Sequence, residues 1–258
     1  STISHFECAR MVLKNTKHVF IEKPMTSTLE EAFQLVELIK EANVKAQIGH
    51  VERFNPAFLA VKDYPFDPMF IETHRLAEFN PRGTDVPVVL DLMIHDIDVI
   101  LSVVKSKVKS INSSGVSILS ETPDIANARI EFENGCVANL TASRISLNPM
   151  HKMRFFQRNS YINVDFQENK AHLFQMKSGN EKGKGAMTLK LTDGVEKEVF
   201  YQKPNIAKSN PIQEEVKMFV ESIVNNLDND LTIPKALNSI EISQLVAEKV
   251  KLAAMIIE

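Results

Sequence analysis

Apolar residues recur along this chain at two spacings, and the change from one to the other divides it. Phe6, Ala9 and Leu13 stand at helical spacing behind Ser4 and Glu7, a capping-box pair, so a short helix is expected to end near Asn15. His18-Val-Phe-Ile21 is a continuous apolar run that predicts a strand buried on both faces. Ser27 with Glu30, or Thr28 with Glu31, can cap a second helix carrying Leu29, Ala32, Phe33, Val36 and Ile39. A strand over 45–51 follows, then a helix opened by Asn55-Pro56. This alternation predicts right-handed crossovers and a parallel sheet. Residues 1–64 therefore read as the C-terminal part of a doubly wound α/β domain, which ordinarily has about six strands.

Beyond residue 64 the spacing turns mostly to that of strands. Segments 69–77, 108–119, 125–133, 136–145, 151–158, 161–166, 171–176 and 187–191 are expected strands, and Asn134-Gly135 is a two-residue hairpin signal. A polar, glycine-rich stretch, 178–184, reads as a hairpin tip. One apolar helix interrupts the strands at about 91–104. Two more close the chain, one after Asn210-Pro211 with Val216, Phe219, Ile223 and Leu227, the other from Pro234 with Leu237, Ile240, Leu245 and Val250. Residues 65–258 are thus an expected α+β domain with a large, mostly antiparallel open sheet, whose closing helices can pack back on the first domain. No internal repeat is visible.

Composition narrows the function. The chain carries 30 Lys and Arg against 33 Asp and Glu, both signs mixed, for a net charge of -3. Nucleic-acid and membrane-surface binding need clustered basic residues and are not expected. No apolar run approaches the roughly 20 residues of a membrane span, and Ser1–Arg10 is no signal peptide. Two cysteines, Cys8 and Cys136, fit a reducing cytoplasm and are expected to be buried and inert.

Candidate chemistry lies in three places. Lys23 follows the first strand, at the carboxyl end where open α/β sheets bind ligands, and Pro24 favours an extended backbone there. A solvated loop lysine is the plainer alternative. In Asp91-Leu-Met-Ile-His95-Asp96-Ile-Asp98, residues 91, 95 and 98 fall within roughly 60° on an α-helix. A carboxylate one turn before a histidine can hold the imidazole and make it a general base. Asp91 as a helix cap, or the acids and His95 with His50 or Glu52 as metal ligands, are the alternatives. Arg53 and Asn55 can bind a sugar or phosphate, or simply open a helix. Arg75 and Arg82 can meet an anionic substrate or stay on the surface. No phosphate-cradling glycine fingerprint occurs among the eight glycines.

In this order and spacing, Ser4-His5, Glu22-Lys23-Pro24, Gly49-His50, Asp91-x-x-x-His95-Asp96-x-Asp98 and the segment Asp124–Gly135 resemble the glucose–fructose oxidoreductase / inositol dehydrogenase / MocA (Gfo/Idh/MocA) family along essentially the whole chain. The resemblance implies a Rossmann domain for NAD or NADP and a reaction centre of Lys23, Asp91 and His95. It places Thr2, His5, Glu22, Lys23 and Pro24 against the cofactor. With the residue readings above, Arg53, Asn55, Arg82, Asp91 and His95 become the expected substrate contacts. It further implies a homodimer or homotetramer formed through the C-terminal sheet. Segments 49–56 and 91–98 look most like those of family enzymes that oxidise the 3-hydroxyl of UDP-N-acetylglucosamine. Inositol or another simple sugar is an alternative substrate, and a non-catalytic sugar-nucleotide binder an alternative role. The family's opening strand, glycine-rich turn and next βα unit are not matched. At about 30 residues per unit, roughly 70 residues would precede Ser1. The chain as given is therefore expected to be a fragment or a processed or incomplete form, inactive by itself, with uncovered sheet edge.

Overall fold

A computed structural model describes residues 2–81, 86–177, 187–190, 196–228 and 231–254. The expected hairpin tip at 178–184 and Arg82 lie outside these.

Helix α1, Thr2–Lys14, buries Ala9 and Leu13. It already includes Thr2, so Ser4 sits in the first turn and is not the cap. Strand β1, Val19–Ile21, pairs in parallel with β2, Ala46–Ile48. Only Ile21 of β1 is fully buried, so the first strand is less enclosed than its apolar run predicted. Between them, α2 (Leu29–Ala42) opens on the Thr28–Glu31 capping box, and Asn43 ends it in the left-handed conformation. Its inner stripe is Ala32, Leu35, Val36 and Ile39; Phe33 falls beyond the stripe's edge and is 47% exposed. After β2 the chain makes a 3-10 turn, Val51–Phe54, instead of continuing as strand. Short helix α3, Pro56–Leu59, follows with Asn55 as its cap.

The second sheet has nine strands: β3 (Pro68–Leu76), β4 (Val108–Val116), β5 (Ile125–Phe132), β6 (Val137–Ser143), β7 (Met150–Gln157), β8 (Ser160–Asp165), β9 (Lys170–Lys177), β10 (Met187–Lys190) and β11 (Glu196–Gln202). They lie in the order β10-β11-β9-β8-β7-β3-β6-β5-β4, antiparallel except for the β3–β6 pair. Alternate residues, such as Ala126, Ala128, Ile130 and Phe132 of β5, fill the core below the sheet. The β5–β6 hairpin has three loop residues, 133–135, not two: Phe132 faces Cys136, and Gly135 takes φ +87.

That core is closed by α4, Ile94–Val103, which is entered through a π-helical turn, Val89–Met93, and by α6, Ile233–Ala254. The long helix α6 serves both cores. Ile233, Ala236 and Ile240 join the smaller core, where α6 meets α2 and β2, whereas Ile242, Val246 and Val250 pack under the nine-stranded sheet. At Gly115 of β4, a Cβ would stand 2.5 Å from Val250 and 2.9 Å from the Ile125 carbonyl oxygen.

Helix α5, Pro211–Val224, is capped by Asn210 and buries Phe219 as expected, but is rotated by part of a turn from the expected stripe. Its buried positions are Glu215, Phe219 and Ser222, whereas Val216 and Val220 are exposed. Tertiary bonding to a buried carboxylate has overridden the apolar stripe. Among the described residues no helix is long and apolar enough to cross a membrane.

Candidate active site

Strand β1 ends at Ile21 and delivers Glu22-Lys23-Pro24 to the carboxyl edge of the small parallel sheet. The Lys23–Pro24 peptide is cis, and His5 of α1 donates from Nδ1 to the Pro24 carbonyl at 2.9 Å. Helix α1 thus props the turn. On the neighbouring strand end, Gly49 N–H donates to the Ile21 carbonyl. A Cβ at Gly49 would lie 2.9 Å from Oε2 of Glu22, so only glycine leaves that carboxylate its place.

Lys23 reaches across to the π-helical turn. Its Nζ donates to the Asp91 carbonyl oxygen at 2.6 Å and to Asp91 Oδ1 at 3.1 Å. The π turn closes i→i+5 bonds and so breaks the α-helical spacing from which an Asp91–His95 contact was expected. Asp91 turns to Lys23, and among the described residues no bond joins it to His95.

His95 is 6% exposed, and its Nδ1 has no hydrogen-bond partner among the described residues. Burial, and then the positive charges of Arg75 and Lys23, with those of His50 and His151, push its pKa well below the usual 6.5. The imidazole is therefore neutral at neutral pH and able to accept a proton.

The two following acids go elsewhere. Asp96 accepts at Oδ1 from His151 Nε2 of β7 at 2.8 Å, with Arg75 Nη1 3.9 Å away. Asp98 accepts a fork from Arg53, Nε to Oδ2 at 2.6 Å and Nη2 to Oδ1 at 2.7 Å. These carboxylates diverge, and among the described residues no group of three or more His, Cys, Asp or Glu side chains is arranged to hold a metal ion. Arg53 is thereby committed to Asp98. Asn55 is committed to its cap at Ala57 N and to the Phe166 carbonyl. Both are held by internal bonds, while Arg53 also lines one cavity and Asn55 another, so their expected role as substrate contacts stays open to test. Thr2 lies in α1 and Arg82 outside the described residues, so the structure tests neither.

Sequence reasoning missed Glu215. It is 1% exposed and accepts at Oε1 from the His50 backbone N–H at 2.6 Å. Burial raises its pKa to about 7, against the pull of that N–H and with repulsion from Glu22 and Asp98. His50 is itself buried beside Asp98 (3.4 Å) and Ser239 (3.3 Å), and burial lowers its pKa. Nothing in the sequence separates Glu215 from a solvated helix acid. Cys8 also departs from expectation: it is exposed, whereas Cys136 is buried and burial raises its pKa to about 11.

Comparison with known proteins adds a second line of support. Residues 1–50 match the GFO/IDH/MocA oxidoreductase family, described as having an NAD-binding Rossmann fold. Residues 38–159 match the GFO/IDH/MocA C-terminal domain. The UDP-N-acetylglucosamine 3-dehydrogenase of Acidithiobacillus ferrooxidans is 34% identical over 223 residues, which is 86% of this chain and 67% of that protein. The scyllo-inositol 2-dehydrogenase (NAD(+)) of Bacillus subtilis is 26% identical over 56% of this chain and 47% of its own length. The solved structure of UDP-N-acetylglucosamine 3-dehydrogenase GnnA from A. ferrooxidans superimposes with a TM-score of 0.86 at 29% identity, covering 98% of this chain and 77% of that one.

Proposed function

The chain belongs to the GFO/IDH/MocA oxidoreductase family, and from that premise we propose that it serves the NAD(P)-dependent interconversion of a secondary alcohol and a ketone on a nucleotide sugar. The observation that carries this is the crossing of Lys23 to Asp91, one helical turn from a neutral, buried His95.

The residues present fit the nicotinamide end of such a cofactor. Gly49 leaves no Cβ at the strand edge, and the exposed Glu22 carboxylate stands there beside Lys23. Glu22, Lys23 and Pro24 would hold it, with His5 of α1 fixing the Pro24 carbonyl; Thr2, three residues earlier in the same helix, is proposed to join them. When bound, the nicotinamide supplies hydride transfer. His95 takes the hydroxyl proton at Nε2, since Nδ1 is enclosed. Lys23 Nζ donates to the same oxygen and stabilises its developing charge, while Asp91 anchors the ammonium. Arg82, nine residues before Asp91 in the sequence, remains the proposed outer substrate contact.

UDP-N-acetylglucosamine, the substrate named for the A. ferrooxidans relative, is the first compound to test. We further place the homo-oligomer interface on the outer face of the nine-stranded sheet. There Phe70, Phe156, Tyr161, Phe174 and Tyr201 are direct cross-strand neighbours over five strands. Two free cysteines suit a cytoplasmic setting.

The functional test is reduction of NAD and NADP by the full-length protein with UDP-N-acetylglucosamine, myo-inositol and glucose. Substrate-dependent growth of NAD(P)H absorbance with the nucleotide sugar is expected. Growth with only the simple sugars contradicts the substrate, and growth with none contradicts the enzyme.

A further inference from the structure

Two arginines beside the catalytic helix are used differently. Arg53 spends its Nε–Nη2 edge on Asp98. Arg75, at the end of β3, is tied only through Nη1, which donates to Glu52 Oε1 at 2.9 Å and lies against the His151 ring, 3.2 Å from Nδ1 and 3.1 Å from Nε2. Nη1 is thereby occupied by Glu52 and His151. The Nε–Nη2 edge of Arg75, the one suited to a bidentate contact, takes no partner among the described residues, and the side chain is 17% exposed.

Arg75 borders a cavity of about 450 Å³ that is also lined by Glu52, Asn55, Leu92, His151 and Phe166, among others. Leu92 directly follows Asp91, which places the cavity next to the reaction centre. The Arg75 charge also acts on His95, helping to lower its pKa. His151 stacks on Phe166 with ring centroids 4.3 Å apart, giving a flat wall. Glu52 uses only Oε1 in bonds among the described residues, leaving Oε2 as an acceptor on a residue that lines the same cavity. The single guanidinium faces two carboxylates, Glu52 and Asp96, so no surplus positive charge is offered to an anion.

We propose that this cavity holds a neutral, hydroxyl-bearing part of the substrate. Nε and Nη2 of Arg75 donate to two ligand oxygens, and Oε2 of Glu52 accepts from a ligand hydroxyl. Paired donors and acceptors of this kind complement adjacent sugar hydroxyls or an amide, each of which gives and takes a hydrogen bond. This rests on the sugar-oxidoreductase reading and adds to it which end of the sugar is recognised, and by what.

The test is calorimetric binding of UDP-N-acetylglucosamine, UDP and myo-inositol to the full-length protein and its Arg75→Lys and Glu52→Gln variants. Arg75→Lys keeps the charge and removes the planar fork. It is expected to weaken UDP-N-acetylglucosamine by roughly tenfold or more, the size of one charge-assisted hydrogen bond, and to leave UDP within about twofold. Glu52→Gln should weaken the same ligand and spare UDP, and it carries the test if Arg75→Lys fails to fold. Equal weakening of UDP would mark an anion site and overturn the proposal, as would unchanged affinity for the sugar. If the wild type binds myo-inositol and not the nucleotide sugar, the nucleotide-sugar reading falls, and the same loss on inositol still supports the cavity. Binding of neither overturns both.

Discussion

His95 shows how far surroundings set the chemistry of one side chain. Burial and facing cations favour the neutral ring, so its base form persists below the usual 6.5. The acidic limb of kcat/KM is therefore expected below pH 6.5, activity falling only as pH drops through the lowered pKa. A limb at or above 6.5 contradicts the assigned environment. Glu215 shifts the other way, to about 7 from an ordinary 4.5. Its folded form binds the proton more tightly, so its contribution is present below about 4.5 and is lost as pH rises through 7. Glu215→Gln should thus gain melting temperature relative to wild type between pH 5.5 and 9; an unchanged difference would show that Glu215 does not ionise there. Lys23, Asp91 and His95 stood out in the sequence as candidates because their order and spacing are unusual, and the structure brings the first two into contact. Glu215 and His151 were not, because each occupies a position where a solvated polar residue would read the same.

Among the elements, the π turn at Val89–Met93 matters most to the site. It directs Asp91 to Lys23, a placement that an ideal α-helix would not give. Regular periodicity located most strands and every long helix, because alternation and helical stripes report directly on burial. It failed where other forces decide. Helix α5 buries Glu215 in place of Val216, and β11 was missed because Glu196-Lys-Glu hides its alternation, although Asp193-Gly194 is a hairpin signal before it. The tight seam of α6 on β4 gives an element-scale prediction. Gly115→Ala must displace Val250 or strand β5, and should cost about 1–3 kcal/mol in chemical denaturation. No loss would show that the seam relaxes freely.

At the scale of the whole molecule, α6 ties the two cores together and the Lys23–Asp91 contact spans from one to the other. The outer sheet face carries the aromatic ladder, with neighbouring rings 4.8–5.9 Å apart and Phe156 39% exposed. This contiguous patch is the basis of the proposed homo-oligomer interface. Phe156→Asp in the full-length protein should lower the sedimenting mass while leaving the fold intact, and an unchanged mass would move the interface elsewhere. The central claim is that Lys23 and His95, from the two sides of the crevice, act on one alcohol oxygen. A double-mutant cycle in kcat/KM with Lys23→Ala and His95→Ala tests it most directly. Each single change should cost about a hundredfold or more, and the pair little beyond the worse single loss, because groups that act as a unit are not additive. Near-normal turnover in either single variant, or losses that multiply in the pair, would contradict it.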